Sequence, residues 1–171
     1  MAIKQSLSRR RALCLPLALL GAAALGHASL AFAVEKPVHI TVWKTPNCGC
    51  CKQWVAHLQK NGFEVVTNDV NDTAPVRKKM GLPEKFSSCH TASLGGYVLE
   101  GHVPAQEIRR LLKEKPRALG LAVPDMPAGS PGMEMGDAVD AYKVLLVQAD
   151  GTSRVYQAYP ARRSAKISTT L

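Results

Sequence analysis

Hydrophobic and polar residues alternate in short runs along the chain, and helical patterns separate those runs. Residues 39–43 (His-Ile-Thr-Val-Trp) alternate and are rich in β-branched side chains, which is typical of a strand. Apolar side chains then recur at helical spacing from Cys51 to Leu58, and Asn61-Gly62 is a common helix end. The predicted elements are, in order, strand 39–43, the helix around 51–58, strand 63–67, helix 76–80, strand 87–94, strand 97–100 and a helix that begins at 103–105. This β-α-β-α-β-β-α order is that of a thioredoxin fold, in the α/β class.

Both periodicities break down over residues 117–139, where proline and glycine recur. We expect a long ordered loop there, and long loops in compact domains are often functional. Two strand-like runs, 142–148 and 152–158, then flank Asp150-Gly151, a strong hairpin turn. The sequence therefore predicts a thioredoxin-like core with an added Met-, Pro- and Gly-rich loop (117–139) and a C-terminal β-hairpin (140–160).

The first 33 residues differ in composition from the rest of the chain. Four basic residues precede an apolar run from Ala12 to Leu25, and Ala31-Phe32-Ala33 is a small-x-small pattern that signal peptidase cleaves. We therefore expect a signal peptide over 1–33, cleaved near Ala33, and a single periplasmic domain over 34–171. Cleavage would remove four of the 22 basic residues and no acidic one, which lowers the net charge from +9 to +5.

Composition excludes several classes of protein. An apolar content of 46% argues against a disordered chain, and no second long apolar stretch follows the leader, so we expect no membrane insertion of the mature chain. Aromatic residues make up only 5% and are scattered, which argues against a nucleic-acid partner.

Three cysteines lie within four residues between the first strand and the first helix. Cys48 and Cys51 form a C-x-x-C at the position where a thioredoxin fold carries its redox pair, with Cys50 between them. The free N–H groups and the positive dipole end of a helix N-terminus stabilise thiolates and lower their pKa. Cys48 and Cys51 are therefore the candidate catalytic thiols.

Cys89 lies at the beginning of the predicted third strand, where the chain faces the C-x-x-C in folds of this type. Four cysteines would then converge, and three interpretations compete: stabilising disulfides, a closed zinc site, and redox-active thiols or a soft-metal site. A C-x-x-C ring constrains very little chain, and zinc sites of this kind usually use two C-x-x-C pairs. The third interpretation is therefore favoured.

The long loop carries three methionines, Met126, Met133 and Met135. Thioethers are soft ligands that suit Cu(I), although methionines also fill irregular gaps in a core. Beside a thiol cluster they are candidate copper ligands.

The histidines carry weaker signals. His90 is adjacent to Cys89 and is a candidate ligand, whereas His57 on the first helix is expected to have a capping or structural role. His102, just before the third helix, suits either role.

Several segments resemble a bacterial family of thioredoxin-like metal-binding proteins whose studied branch is the CopG-type periplasmic copper proteins. The similar segments are Thr45-Pro46-Asn47-Cys48-Gly49-Cys50-Cys51-Lys52-Gln53-Trp54, Ser88-Cys89-His90-Thr91-Ala92, residues 96–105, residues 120–124 and residues 126–134. The resemblance covers nearly all of the chain after the leader.

The resemblance implies a periplasmic copper resistance protein that binds Cu(I) through clustered cysteines, in a site that can hold more than one ion. The family's cysteine positions correspond to Cys48, Cys50, Cys51 and Cys89, while His90 and the three loop methionines are weaker ligand candidates. It further implies that the thiols and copper exchange electrons, so that Cu(II) and Cu(I) interconvert as thiols and disulfide do. A copper/thiol oxidoreductase activity is therefore one option. The expected partners are copper ions and periplasmic copper carriers or efflux components. The alternatives are a metal-free dithiol-disulfide oxidoreductase of the thioredoxin type and a structural zinc site.

Overall fold

One mixed seven-stranded sheet organises the chain in the computed structural model, which describes residues 38–136 and 138–162. The predicted signal peptide lies outside the described residues. The elements are β1 (Val38–Lys44), α1 (Gly49–Lys60), β2 (Phe63–Asp69), α2 (Ala74–Lys79), a short 3-10 helix (Glu84–Phe86), β3 (His90–Leu94), β4 (Tyr97–Glu100), α3 (Ala105–Glu114), β5 (Gly120–Ala122), β6 (Tyr142–Val147) and β7 (Ser153–Tyr159). The strand order is β2-β1-β3-β4-β5-β6-β7.

Apart from the short 3-10 helix, the predicted β-α-β-α-β-β-α order from β1 to α3 is confirmed, as is the mixed α/β class. β1 pairs with β2 in parallel and with β3 antiparallel, and β3 pairs with β4 antiparallel. The third strand begins at His90 and not at Ser87 as predicted. The reason is that the backbone N–H and C=O of Ser88 bond to the side chains of Glu100 and Arg77 instead of a neighbouring strand.

The prediction that residues 117–139 form only a loop is wrong, because β5 lies within it. β5 is buried on both faces and connects the hairpin to the sheet, since it pairs with β4 on one side and β6 on the other. A side chain at Gly120 would meet the backbone of Val98, so glycine permits the close approach of the two strands. The C-terminal hairpin is confirmed as β6 and β7, which extend the same sheet.

Apolar residues cover both faces of the sheet. Leu99, Leu121 and Leu146 pack with α1 and α3 in the larger core cluster, where Trp54, Leu58, Ile108 and Leu111 are fully buried. Their sequence neighbours Val98, Ala122 and Val147 pack with Leu82 and Phe86 in a second cluster. Because successive strand residues point to opposite faces, the two clusters lie on opposite sides of the sheet. None of the described helices is long and apolar enough to cross a membrane.

Candidate metal centre

The register of the sheet brings the two cysteine segments together. β1 and β3 are antiparallel neighbours, and Lys44 at the end of β1 is paired with His90 at the start of β3. The turn that leads from Lys44 to Cys48 and the loop that carries Cys89 therefore leave the same edge of the sheet. This explains how cysteines some 40 residues apart converge.

Cys48 is the N-cap of α1. Its extended backbone starts the helix, its Sγ accepts a hydrogen bond from the Cys51 N–H at 3.3 Å, and its carbonyl accepts from the Lys52 N–H. The first turn of α1 contains no acidic residue, so nothing there opposes the positive end of the helix dipole. A sulfur at this position is stabilised as an anion.

Cys48 and Cys51 form a disulfide, while Cys50 and Cys89 are free. The Cys50 Sγ lies 3.5 Å from the Cys48 Sγ and 3.7 Å from the Cys89 Sγ. All four sulfurs lie within 4.8 Å of one another, with Cys51 buried and the other three half-buried. The structure thus brings together all four cysteines that the sequence singled out, in a state where two of the sulfurs are already oxidised.

Two buried histidines extend the cluster beyond Cys89. The Cys89 Sγ lies 3.2 Å from Nδ1 of His90 and 3.1 Å from Nε2 of His102. His102 Nδ1 is 2.8 Å from the Pro131 carbonyl, which can only accept, so Nδ1 carries the proton and Nε2 presents its lone pair to the sulfur. A ring N–H held by a backbone carbonyl is the usual arrangement of a metal-binding histidine.

Burial sets the protonation of this part of the site. It lowers the pKa of His90 to about 3, and the neighbouring His102 adds to that effect. It also lowers the pKa of His102 and raises the pKa of Cys89 to about 12, with the nearby Cys50 contributing. In the absence of a cation the group is therefore a thiol beside two neutral imidazoles, and a bound cation would take the place of the thiol proton.

His57 has the structural role predicted for it. Its Nε2 accepts a hydrogen bond from the Ala105 N–H at 3.1 Å, which satisfies a free donor in the first turn of α3. His90 adjoins Cys89 as expected. His102, for which the sequence left both roles open, is the second histidine at the cluster, and its contact with the sulfur depends on the long-range packing of the loop.

The methionine-containing loop packs against the start of α1. A side chain at Gly132 would lie 2.7 Å from the Trp54 N and 2.8 Å from the Cys50 O. The adjacent Met133 is half-buried, whereas Met126 and Met135 are 50% and 74% exposed. The part of the loop that adjoins the cysteines is thus the segment around Pro131–Met133.

The donor set of this site suits a soft cation. Thiolate sulfur and neutral imidazole are ligands that Cu(I) and zinc both accept, and no carboxylate belongs to either group of converging ligand atoms among the described residues. Four sulfurs are available only in the reduced protein, because the disulfide removes two thiolates.

Comparison with known proteins agrees with this chemistry. Residues 86–133 match a family described as "Protein of unknown function, DUF411". No curated protein sequence matches the chain. Two solved structures are similar to it with a TM-score of 0.70, and both bear the name copper resistance protein CopG: form 2 is 45% identical and form 1 is 46% identical.

These two matches extend over most of both proteins. Each covers 73% of this chain and 100% or 99% of the matched chain, and the matched name concerns copper, one of the soft metals that a reduced sulfur cluster suits. At this identity and coverage, the chain belongs to the CopG family of copper resistance proteins.

Proposed function

We propose that this protein is a copper-binding thiol redox protein that acts in copper resistance. The observation that carries the proposal is the convergence of four cysteine sulfurs within 4.8 Å at the N-terminus of α1. When reduced, these sulfurs form a compact set of soft ligands, and the relatives' name links such a chain to copper. Copper is here the cargo and the redox substrate of the protein.

The site is proposed to hold Cu(I) as a cluster of several ions. Cu(I) accepts two or three ligands, and a thiolate can bridge two ions, so a few sulfurs can serve more than one copper. Cys50 lies between Cys48 and Cys89, at 3.5 Å and 3.7 Å, which is the position a bridging sulfur needs. His90 and His102 are further candidate ligands because their ring nitrogens lie 3.2 Å and 3.1 Å from the Cys89 Sγ. Met133 is a candidate because it follows Gly132, which packs against the first turn of α1.

The fold is proposed to be thioredoxin-like. The order of helices and strands from β1 to α3 and the β2-β1-β3-β4 part of the sheet support this assignment, as does a C-x-x-C at the start of α1. In such a fold the C-x-x-C pair alternates between dithiol and disulfide.

The proposed reaction joins this alternation to copper. Two Cu(II) ions each take one electron from the Cys48–Cys51 dithiol, which yields two Cu(I) ions, one disulfide and two protons. The helix N-terminus assists because it stabilises the thiolates that react and bind. Reduction of the disulfide by a thiol or dithiol reductant would restore the site.

We also propose that the protein works in the periplasm, after removal of residues 1–33, and exchanges copper with periplasmic carriers or efflux components. The leader composition supports the location, and the partial exposure of Cys48, Cys50 and Cys89 supports exchange with a partner.

The second candidate function is a metal-free dithiol-disulfide oxidoreductase. The observation that favours it is the Cys48–Cys51 disulfide, whose Cys48 sulfur is half-buried and therefore open to a thiol of another protein.

Addition of Cu(II) to the reduced protein without oxygen tests the redox proposal. We expect one Cys48–Cys51 disulfide for every two Cu(II) ions reduced, measured by peptide mapping of the thiols and by a Cu(I)-specific chromophore. A Cys51→Ser variant is the control, since it keeps three sulfurs but has no C-x-x-C pair. If the thiols stay intact and the copper stays divalent, the redox proposal is wrong.

A further inference from the structure

A buried ion pair lies beside the loop that carries Cys89. Arg77 of α2 and Glu100 of β4 are 3% and 0% exposed, and the Arg77 Nε lies 2.9 Å from the Glu100 Oε1. Arg77 also donates to Glu84 at 2.8 Å and to the hydroxyl of Thr73 at 3.2 Å. The role of this pair is indicated by the backbone and hydroxyl groups that its two side chains hold.

The pair holds both ends of the segment 88–91. The Ser88 N–H donates to Glu100 Oε1 at 2.8 Å, and the Thr91 hydroxyl donates to Glu100 Oε2 at 2.6 Å. Arg77 Nη2 donates to the Ser88 carbonyl at 3.2 Å. Cys89 thus lies between two residues that one carboxylate fixes from either side.

Stability alone does not explain a buried ion pair at this place. Two charges taken out of water lose hydration, and replacing a buried ion pair by apolar residues of similar volume is often neutral or stabilising. What apolar residues cannot provide is an acceptor for the Ser88 N–H and a donor for the Ser88 carbonyl. The backbone of Ser88, just before Cys89, therefore needs the polar pair as its hydrogen-bond partners.

We propose that Arg77 and Glu100 are positioning residues that fix the Cys89 sulfur against the Cys48-Gly49-Cys50-Cys51 segment. The proposal rests on the proposed copper function for its effect on copper, but its effect on Cys89 itself needs no metal. Groups that orient a ligand without touching the metal commonly change metal affinity by about 10- to 100-fold.

The decisive variant is Arg77→Met together with Glu100→Leu. It removes both charges, so no unpaired buried charge is left to unfold the protein, but it also removes the hydrogen bonds to Ser88 and Thr91. Glu100→Gln is the conservative variant, because an amide can still accept from the Ser88 N–H and donate to the Thr91 hydroxyl, while Arg77 keeps its ion pair with Glu84. Glu107→Gln is the matched control, since Glu107 is a buried carboxylate on α3 that bonds Tyr159 and not the Cys89 loop.

Two measurements on the full chain test this positioning role. The first is the rate at which iodoacetamide alkylates Cys89 in the oxidised, metal-free protein, read by peptide mass spectrometry with Cys50 as an internal reference. The second is Cu(I) affinity of the reduced protein, measured by competition with a chromophoric chelator.

In the double variant we expect Cys89 to alkylate at least several-fold faster relative to Cys50 and Cu(I) to bind about tenfold more weakly. Glu100→Gln and Glu107→Gln should stay near the wild type in both. An unchanged Cys89 alkylation rate in a folded double variant would overturn the positioning role. If the wild type itself fails to bind Cu(I), the proposed copper function falls, while faster alkylation of Cys89 would still support the positioning role.

Discussion

Replacement of Gly132 by alanine should detach the methionine-containing loop from the start of α1. Gly132 has φ +86°, and an added Cβ would lie 2.7 Å from the Trp54 N and 2.8 Å from the Cys50 O. Both neighbours are helix backbone, which cannot rotate aside as a flexible side chain can. The loop must move, and with it the Pro131 carbonyl that holds His102.

Gly136 of the same loop provides the matched control for the size of this effect. It has φ +71°, but no atom lies within 4 Å of an added Cβ. Both alanine variants carry backbone strain of about 1–2 kcal/mol, because an L-residue is disfavoured at positive φ. Only Gly132→Ala adds overpacking, which is typically about 1–3 kcal/mol. The difference between the variants should therefore be about 1–3 kcal/mol in the free energy of unfolding.

Denaturant unfolding of the oxidised proteins measures this difference, and Cu(I) competition on the reduced proteins measures its consequence for the site. Gly132→Ala should be the less stable variant, with the weaker Cu(I) affinity, while Gly136→Ala should bind copper as the wild type does. Equal unfolding free energies for the two variants would refute the argument that the loop packs on α1 through Gly132.

The remaining predictions concern two other side chains. Burial lowers the pKa of His57 in the folded protein, while its unfolded pKa is about 6.5, so the stability that His57 contributes is complete above about pH 6.5 and declines as the pH falls below it. In denaturation experiments across this range, the free energy of unfolding should change less steeply with pH in His57→Gln, by a slope that corresponds to at most one proton. Identical slopes for the wild type and the variant would contradict the capping role. Cys50→Ser should lower the copper stoichiometry of the reduced protein, measured by metal analysis after gel filtration, because Cys50 lies between Cys48 and Cys89. Full stoichiometry in that variant would exclude bridging by Cys50.

The sequence predicted the elements that have a clear period. β1 alternates, α1 has a helical apolar stripe, and Tyr97–Glu100 has the predicted bounds as β4. β5 escaped prediction because it has three residues, all buried, and therefore shows no alternation. Its glycine also resembled the loop glycines around it, although here glycine permits close strand pairing.

The candidate site was predictable only where the spacing of residues along the chain indicates it. The cluster of Cys48, Cys50 and Cys51 is visible in the chain, and the expected loop position brought Cys89 to it. The contact of His102 with the Cys89 sulfur depends on the Pro131 carbonyl, which lies 29 residues from His102 in the chain. No periodic pattern in the sequence predicts such a long-range contact. Arg77 lies in a short helix with two lysines, and nothing in that local context identifies it as the partner of a buried Glu100.

Anaerobic titration of Cu(I) into the fully reduced protein and into the Cys48–Cys51 disulfide form tests whether the clustered thiolates bind copper and whether the disulfide weakens that binding. We expect at least one tightly held Cu(I) per reduced chain, and much weaker binding to the oxidised form, because the disulfide removes two of four thiolate ligands. Less than one tightly held copper in the reduced protein, or equal affinity in the two forms, would contradict it.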